Sequence, residues 1–206
     1  TPIAKAFISD KGLEMCVVGQ QVFGGHGYIR EWGQEQLVRD ARIAQIYEGT
    51  NGIQALDLVK RKVIASKGSL PEVFFTELKM YLSEQQHALQ ELGYLDILKN
   101  LLAMTERLTE GLLEKVKDDP YHAGAISNDY LHLFGYLIYG YLLSRAALTS
   151  QVVNNSDYSQ SFLNQQKHTA DFFLFRLSSQ AKSHYEAALT ESSLLSDLDE
   201  THFARY

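Results

Sequence analysis

An all-α fold is predicted by three features of this sequence. Apolar residues recur at helical rather than alternating spacing, and only three prolines interrupt 206 residues. Leu, Ala, Gln, Glu and Lys, all good helix formers, dominate the long segments. Hydrophobic residues make up 45% of the chain and charged residues 21%, which supplies a sizeable core and argues against disorder. The length suits one large domain or one and a half.

Taken in order, residues 3–23 read as one helix, with Phe7, Ile8, Cys16, Val17 and Val22 on its apolar side. Gly12 inside it costs about 1 kcal/mol relative to alanine, so the helix leans on tertiary contacts. Cys16 falls in the apolar pattern and is expected to be buried and inert. Gly24-Gly25-His26-Gly27 ends the helix, since glycine accepts a left-handed C-cap. Three glycines in four residues exceed what a cap needs. The turn either punctuates the chain or lets a ligand approach the backbone. Glu31-Trp32-Gly33 leads into a second helix, Gln34 to about Gln45, built on Leu37, Ile43 and Ile46. Arg39 and Asp40 point apart on it, so each is expected to find a partner on another element.

That helix stops at Tyr47-Glu48-Gly49, and the next starts near Thr50 or Asn51. Both are good N-cap residues, and Asn51 with Gln54 resembles a capping box. The third helix runs to about Ala65 with Ile53, Leu56, Val59 and Val63 as its stripe; Lys60, Arg61 and Lys62 offset the dipole at its end. Ser66-Lys67-Gly68-Ser69-Leu70-Pro71 is the clearest linker, and places a boundary between residues 1–66 and 71–206. Beyond it lie four long helical patterns, about 71–92, 94–117, 127–152 and 158–189, separated by Gly93, Asp118-Asp119-Pro120 and Asn154-Asn155-Ser156-Asp157. Short connections between long amphipathic helices imply an up-down four-helix bundle. Tyr130, Tyr136, Tyr139 and Tyr141 are expected to pack its core or an interface. The tail from Ser192 is acidic and expected to be mobile unless Phe203 or Tyr206 docks it.

Composition excludes several classes. A net charge of −6 argues against non-specific nucleic-acid binding, which needs a basic face. A single cysteine rules out an internal disulfide and suits a reducing, cytoplasmic setting. The apolar run Leu131–Leu143 is too short and too polar for a membrane span. None of the seven histidines forms a zinc or di-iron pattern, so no metal is expected. The chain carries neither a secretory signal nor an initiating methionine, and is expected to be a piece of something longer.

The segment with most chemical content is the turn at Tyr47-Glu48-Gly49-Thr50. It holds a carboxylate beside a glycine, and the following helix aims its free N–H groups at the same space. Read from the residues alone, Glu48 is first an exposed loop acid and Thr50 only a cap. The order Gln21-Val22-Phe23-Gly24-Gly25-His26-Gly27-Tyr28, Arg39-Asp40-Ala41, Ile46-Tyr47-Glu48-Gly49-Thr50 resembles the C-terminal lobe of the acyl-CoA dehydrogenases. The match covers residues 1 to about 65 and is weaker beyond. The resemblance is what favours a catalytic role for Glu48.

The resemblance implies an FAD-dependent enzyme that forms an α,β double bond in an acyl-CoA thioester. It implies Glu48 as the base for the α-proton, Tyr47 and Gly49 at the substrate, with the Gly49 N–H polarising the thioester carbonyl, and Thr50 and Asn51 near the flavin. Gln21, Gly24 and Gly25 match the segment that touches the FAD of a neighbouring subunit, which implies a homodimer or higher homo-oligomer. An electron-accepting flavoprotein is a further implied partner. Gly52 departs from the family, where many members carry a polar side chain near the flavin. The residues after the third helix are similar to the larger subfamily with an extra helical C-terminal domain, including enzymes acting on methylthiopropionyl-CoA. The acyl-CoA oxidases, which also carry an added helical domain, are the nearest rival; a helical assembly module without catalysis is the alternative from another class.

Overall fold

The computed structural model describes residues 1–152, 158–197 and 199–203. All regular structure among them is helical. The N-terminal part consists of α1 (Pro2–Val22), the single turn α2 (Gly25–Tyr28), α3 (Gln34–Ala44) and α4 (Asn51–Leu56), which continues as a π-helical stretch, Asp57–Ile64. The bundle follows: α5 (Ser69–Glu84), α6 (Gln86–Glu91), α7 (Leu95–Lys115), α8 (His122–Val152), α9 (Gln160–Phe172) with its π continuation Phe173–Leu177, and α10 (Gln180–Ala188).

The long patterns of the sequence resolve into more pieces than periodicity suggests. The first breaks at Gln85, whose φ of −100° and ψ of 17° leave the helical region. The last breaks at the π stretch after Phe172 and resumes at Gln180. The turn at Asn154–Asp157 and the side chain of Tyr206 lie outside the described residues. Asp119 closes the α7–α8 corner by accepting the Tyr121 and His122 N–H groups at 2.9 and 3.2 Å. The tail is tied there too, because the buried Ser192 donates its hydroxyl to the other Asp119 oxygen. Phe203 is exposed and does not dock.

α8 is the central element. It packs against α1, α4, α7, α9 and α10, and is buried on most of its circumference. Three of its tyrosines fill the core with satisfied hydroxyls: Tyr130 meets the Thr109 hydroxyl at 2.8 Å inside it, while at the margin Tyr141 donates to Glu77 at 2.8 Å and Tyr136 donates to Gln180. Phe7 of α1 inserts into this core, 1% exposed, edge-on to Tyr136 with ring centroids 5.1 Å apart. Gly135 admits it, for a Cβ there would stand 2.3 Å from the Phe7 ring. Ala55, Leu58, Val59 and Val63 join the same cluster, so the core runs continuously past residues 66–71.

The apolar side of α1 is not the one the spacing suggests. Phe7 is buried, but Ile8, Val17 and Val22 are exposed and Cys16 is only half-buried. Ala6 and Phe7 face the bundle instead. Leu37, Ile43 and Ile46 are likewise open to solvent, as is Ile53. Asp40 accepts from Gln36 on its own helix at 2.7 Å, and Arg39 has no partner among the described residues. Neither finds the partner on another element that the spacing suggests.

Candidate functional site

The residues from Gln45 to Asn51 form a closed turn. The Tyr47 N–H still reaches the Ile43 carbonyl at 3.1 Å, ending α3, and the Asn51 N–H returns to the Gln45 carbonyl at 3.1 Å. Between these bonds the chain reverses through two left-handed residues, Glu48 at φ 56° and Gly49 at φ 84°. Glycine takes that conformation freely, whereas an L-residue with a Cβ is strained there by about 1–2 kcal/mol. Lys67, the other non-glycine residue with positive φ, sits at the end of a helix, where such caps are common. Glu48 and Gly49 follow the end of α3 with the same pair of left-handed residues that Lys67 and Gly68 form, so what sets Glu48 apart is its side chain.

The Glu48 side chain is exposed and has no hydrogen-bond or ionic partner among the described residues. Its backbone is held instead. Its carbonyl accepts from the Gln54 amide at 3.0 Å, and the next carbonyl, of Gly49, accepts from Lys5 Nζ at 2.9 Å. The Gly49 N–H is not taken up by another group in the described residues. The turn therefore presents a free carboxylate and a free N–H from adjacent residues.

Asn51 does not form the capping box with Gln54. Its side chain points to α1, accepting from Lys5 Nζ at 2.7 Å and donating to Ser9 Oγ at 2.9 Å and Asp10 Oδ1 at 2.6 Å. Gln54 is spent on Glu48, and Thr50 occupies the N-cap without a side-chain bond. Tertiary partners displaced the local pairing because three donors and acceptors on α1 satisfy the Asn51 amide at once.

Asp10 is the hub of this junction. Its Oδ1 accepts from Gln45 Nε2 at 2.6 Å as well as from Asn51, and its Oδ2 pairs with His132 Nε2 of α8 at 3.1 Å. Burial alone would raise the Asp10 carboxyl, but the hydrogen bonds from His132, Asn51 and Gln45 outweigh it and hold the group below the usual carboxylate range. The His132 ring stacks on His184, centroids 4.8 Å apart and 12° from parallel, and His184 Nδ1 meets Asp129 at 2.8 Å. The sequence gives one local hint of this role. Ala6, Phe7 and Asp10 share a helix face, so a carboxylate lies on the side that enters the core.

The second motif lies elsewhere. Gln21, Gly24 and Gly25 stand at the far end of α1, eleven or more residues beyond Asp10, which at helical rise is roughly 20 Å. A Cβ at Gly24 or Gly25 would meet nothing within 4 Å, so their backbone edge is unobstructed. Gly27 differs: a Cβ there would lie 2.3 Å from the Gln20 carbonyl oxygen, so glycine is required to fold α2 back on α1. Glu48, Gly49 and Thr50 are thus gathered in one turn, and Gln21, Gly24 and Gly25 at another edge. The fold does not bring the two sets together within one chain.

The description "Acyl-CoA dehydrogenase, C-terminal domain" matches residues 1–63, and "Acetyl-CoA dehydrogenase C-terminal like" matches residues 74–199. The chain belongs to the acyl-CoA dehydrogenase family. A 3-methylmercaptopropionyl-CoA dehydrogenase from Ruegeria pomeroyi is 34% identical over 84% of this chain and 29% of its own length. The broad-specificity linear acyl-CoA dehydrogenase FadE5 of Mycobacterium tuberculosis is 28% identical over 98% of this chain and 34% of its own. The fold is also that of an acyl-CoA dehydrogenase from Bacillus anthracis solved with FAD, with TM-score 0.69 at 20% identity, over 91% of this chain and 32% of that one. The chain therefore spans about a third of the length of these relatives. Among the described residues, no helix is long and apolar enough to cross a membrane.

Proposed function

We propose that this chain is the catalytic-turn portion of an FAD-dependent acyl-CoA dehydrogenase, with Glu48 as the base. The observation that carries the reading is a strained, unpaired carboxylate fixed by its backbone, in a family whose members are named for this chemistry. Strain of this kind persists where the surroundings over-determine it, and it concentrates at functional sites.

In this reading Glu48 removes the α-proton of the acyl-CoA. A carboxylate enclosed with an acyl chain gains basicity as water leaves. The Gly49 N–H donates to the thioester carbonyl and stabilises the charge that develops there. Tyr47 borders the substrate, and Thr50 and the start of α4 adjoin the flavin. FAD supplies the acceptor for the β-hydride. The Asn51 side chain is committed to α1, so its part toward the flavin is through the backbone and the helix start. The open backbone at Gly24 and Gly25, far along α1 from Glu48, favours contact of Gln21, Gly24 and Gly25 with the FAD of a neighbouring subunit in a homo-oligomer.

The full-length protein is therefore expected to bind FAD and to bleach on anaerobic addition of an acyl-CoA, across a panel that includes methylthiopropionyl and linear chains. Rapid reoxidation by oxygen with hydrogen peroxide release would assign the oxidase alternative; dependence on an electron-accepting flavoprotein would assign the dehydrogenase. A protein that binds neither FAD nor acyl-CoA would leave only the assembly module.

A further inference from the structure

The residues that bracket the Glu48 turn, Gln45 and Asn51, both donate side-chain amide hydrogens to one oxygen of Asp10, each at 2.6 Å. The other oxygen takes His132 Nε2 at 3.1 Å. His132 belongs to α8, the central helix of the added bundle, not to the catalytic lobe. Its Nδ1 is buried with no hydrogen-bond partner among the described residues, so the ring has a single polar contact, Asp10. The ring plane is fixed by His184 on one side, which is itself held by Asp129. An ionised Asp10 has no proton to give, so His132 carries its proton on Nε2 and donates it.

We propose that Asp10 and His132 are a positioning pair through which the helical bundle sets the Glu48 turn. Neither touches substrate or flavin; the catalytic consequence rests on the dehydrogenase reading above. The pair gathers both ends of the turn onto one carboxylate, and the bundle fixes that carboxylate from behind. This gives the added domain a part in the reaction beyond enlarging the core.

The test uses the full-length protein and amide hydrogen exchange of the 45–54 segment, which needs no turnover. His132→Phe keeps the ring stack and removes the donor, whereas His132→Gln places an amide N–H near the position of Nε2. His132→Phe and Asp10→Ala are expected to speed exchange at the Tyr47 and Asn51 amides about ten- to hundredfold, the loss expected for charge-assisted hydrogen bonds. His132→Gln should restore protection, and α7 should exchange as before in all variants. Flavin reduction in a single turnover should slow in His132→Phe while the acyl-CoA dissociation constant moves less than about twofold, since positioning acts on the step rather than on binding. Gln45→Met cuts one arm at a half-buried position, and decides the matter if a substitution in α8 fails to fold. Unchanged exchange in Gln45→Met and in any folded His132→Phe overturns the clamp, and faster exchange with unaltered flavin reduction overturns its catalytic part. If the parent protein does not reduce its flavin with any acyl-CoA, the dehydrogenase reading fails while exchange still judges the clamp.

Discussion

Glu48 holds a conformation that its own side chain disfavours, and that separates its stability from its proposed chemistry. Glu48→Gly relieves the left-handed strain but adds unfolded-state entropy, so thermal stability should hold or rise by up to about 1 kcal/mol. A calorimetric scan checks this, and activity should be lost in the same variant. Phe7 and Gly135 give the opposite case. Phe7→Ala empties a fully enclosed site and should cost about 3–5 kcal/mol. Gly135→Ala drives a Cβ into the Phe7 ring, which is hemmed in by Tyr136 and Tyr139, and should cost about 1–3 kcal/mol in denaturant titrations. At this scale the sequence was most informative where the motif itself carried the meaning: Glu48, Gly49 and the glycine turn are visible in a single line. Asp10 and His132 were not, because a partner 122 positions away leaves no local spacing to read.

The junction of α1, α4 and α8 depends on the charge of Asp10. Its folded-state pKa is lowered, so the unfolded chain binds the proton more readily than the native one. The stabilisation is fully present above the ordinary carboxylate value of 3.8 and is lost as pH falls through the lowered folded value. Amide exchange or near-ultraviolet circular dichroism between pH 6 and 2 should show the α1 contacts loosening in the acid part of that range. Asp10→Asn should abolish this component. Helix identity was legible from periodicity, and the reversal at 47–50 from its residues. The buried face of α1 was not, since its apolar residues lie all round the helix, with Ile8 and Val17 on opposite sides, and the neighbouring bundle selects the side of Ala6 and Phe7. Gln85 and the two π stretches are not legible in the sequence either. No proline or glycine lies at Gln85 or within either π stretch to mark it in the chain.

For the whole molecule, the continuous core predicts that residues 69–203 alone expose the surface that Phe7 and Ala55 cover. We expect cooperative unfolding of that piece, as an up-down bundle should show, at a lower midpoint than the complete chain; circular dichroism of the two compares them directly. The 206-residue chain taken alone should be colourless and inactive. It offers the turn at 47–51 and the edge at 21–25, roughly 20 Å apart along α1, and small-molecule sites bury most of their ligand. Titration with FAD and octanoyl-CoA tests this, and stoichiometric flavin binding with turnover would contradict it. The exposed Ile8, Val22, Leu37 and Ile43 should also drive self-association, measurable as mass in solution.

The central claim, that Glu48 is the base, is tested most directly by Glu48→Gln in the full-length protein under anaerobic single turnover. The amide keeps the size of the side chain but cannot accept the α-proton. FAD and acyl-CoA should bind as in the parent, while flavin reduction slows by about 10²–10⁴-fold or more. Bleaching of the mutant flavin at the parent rate would contradict the assignment.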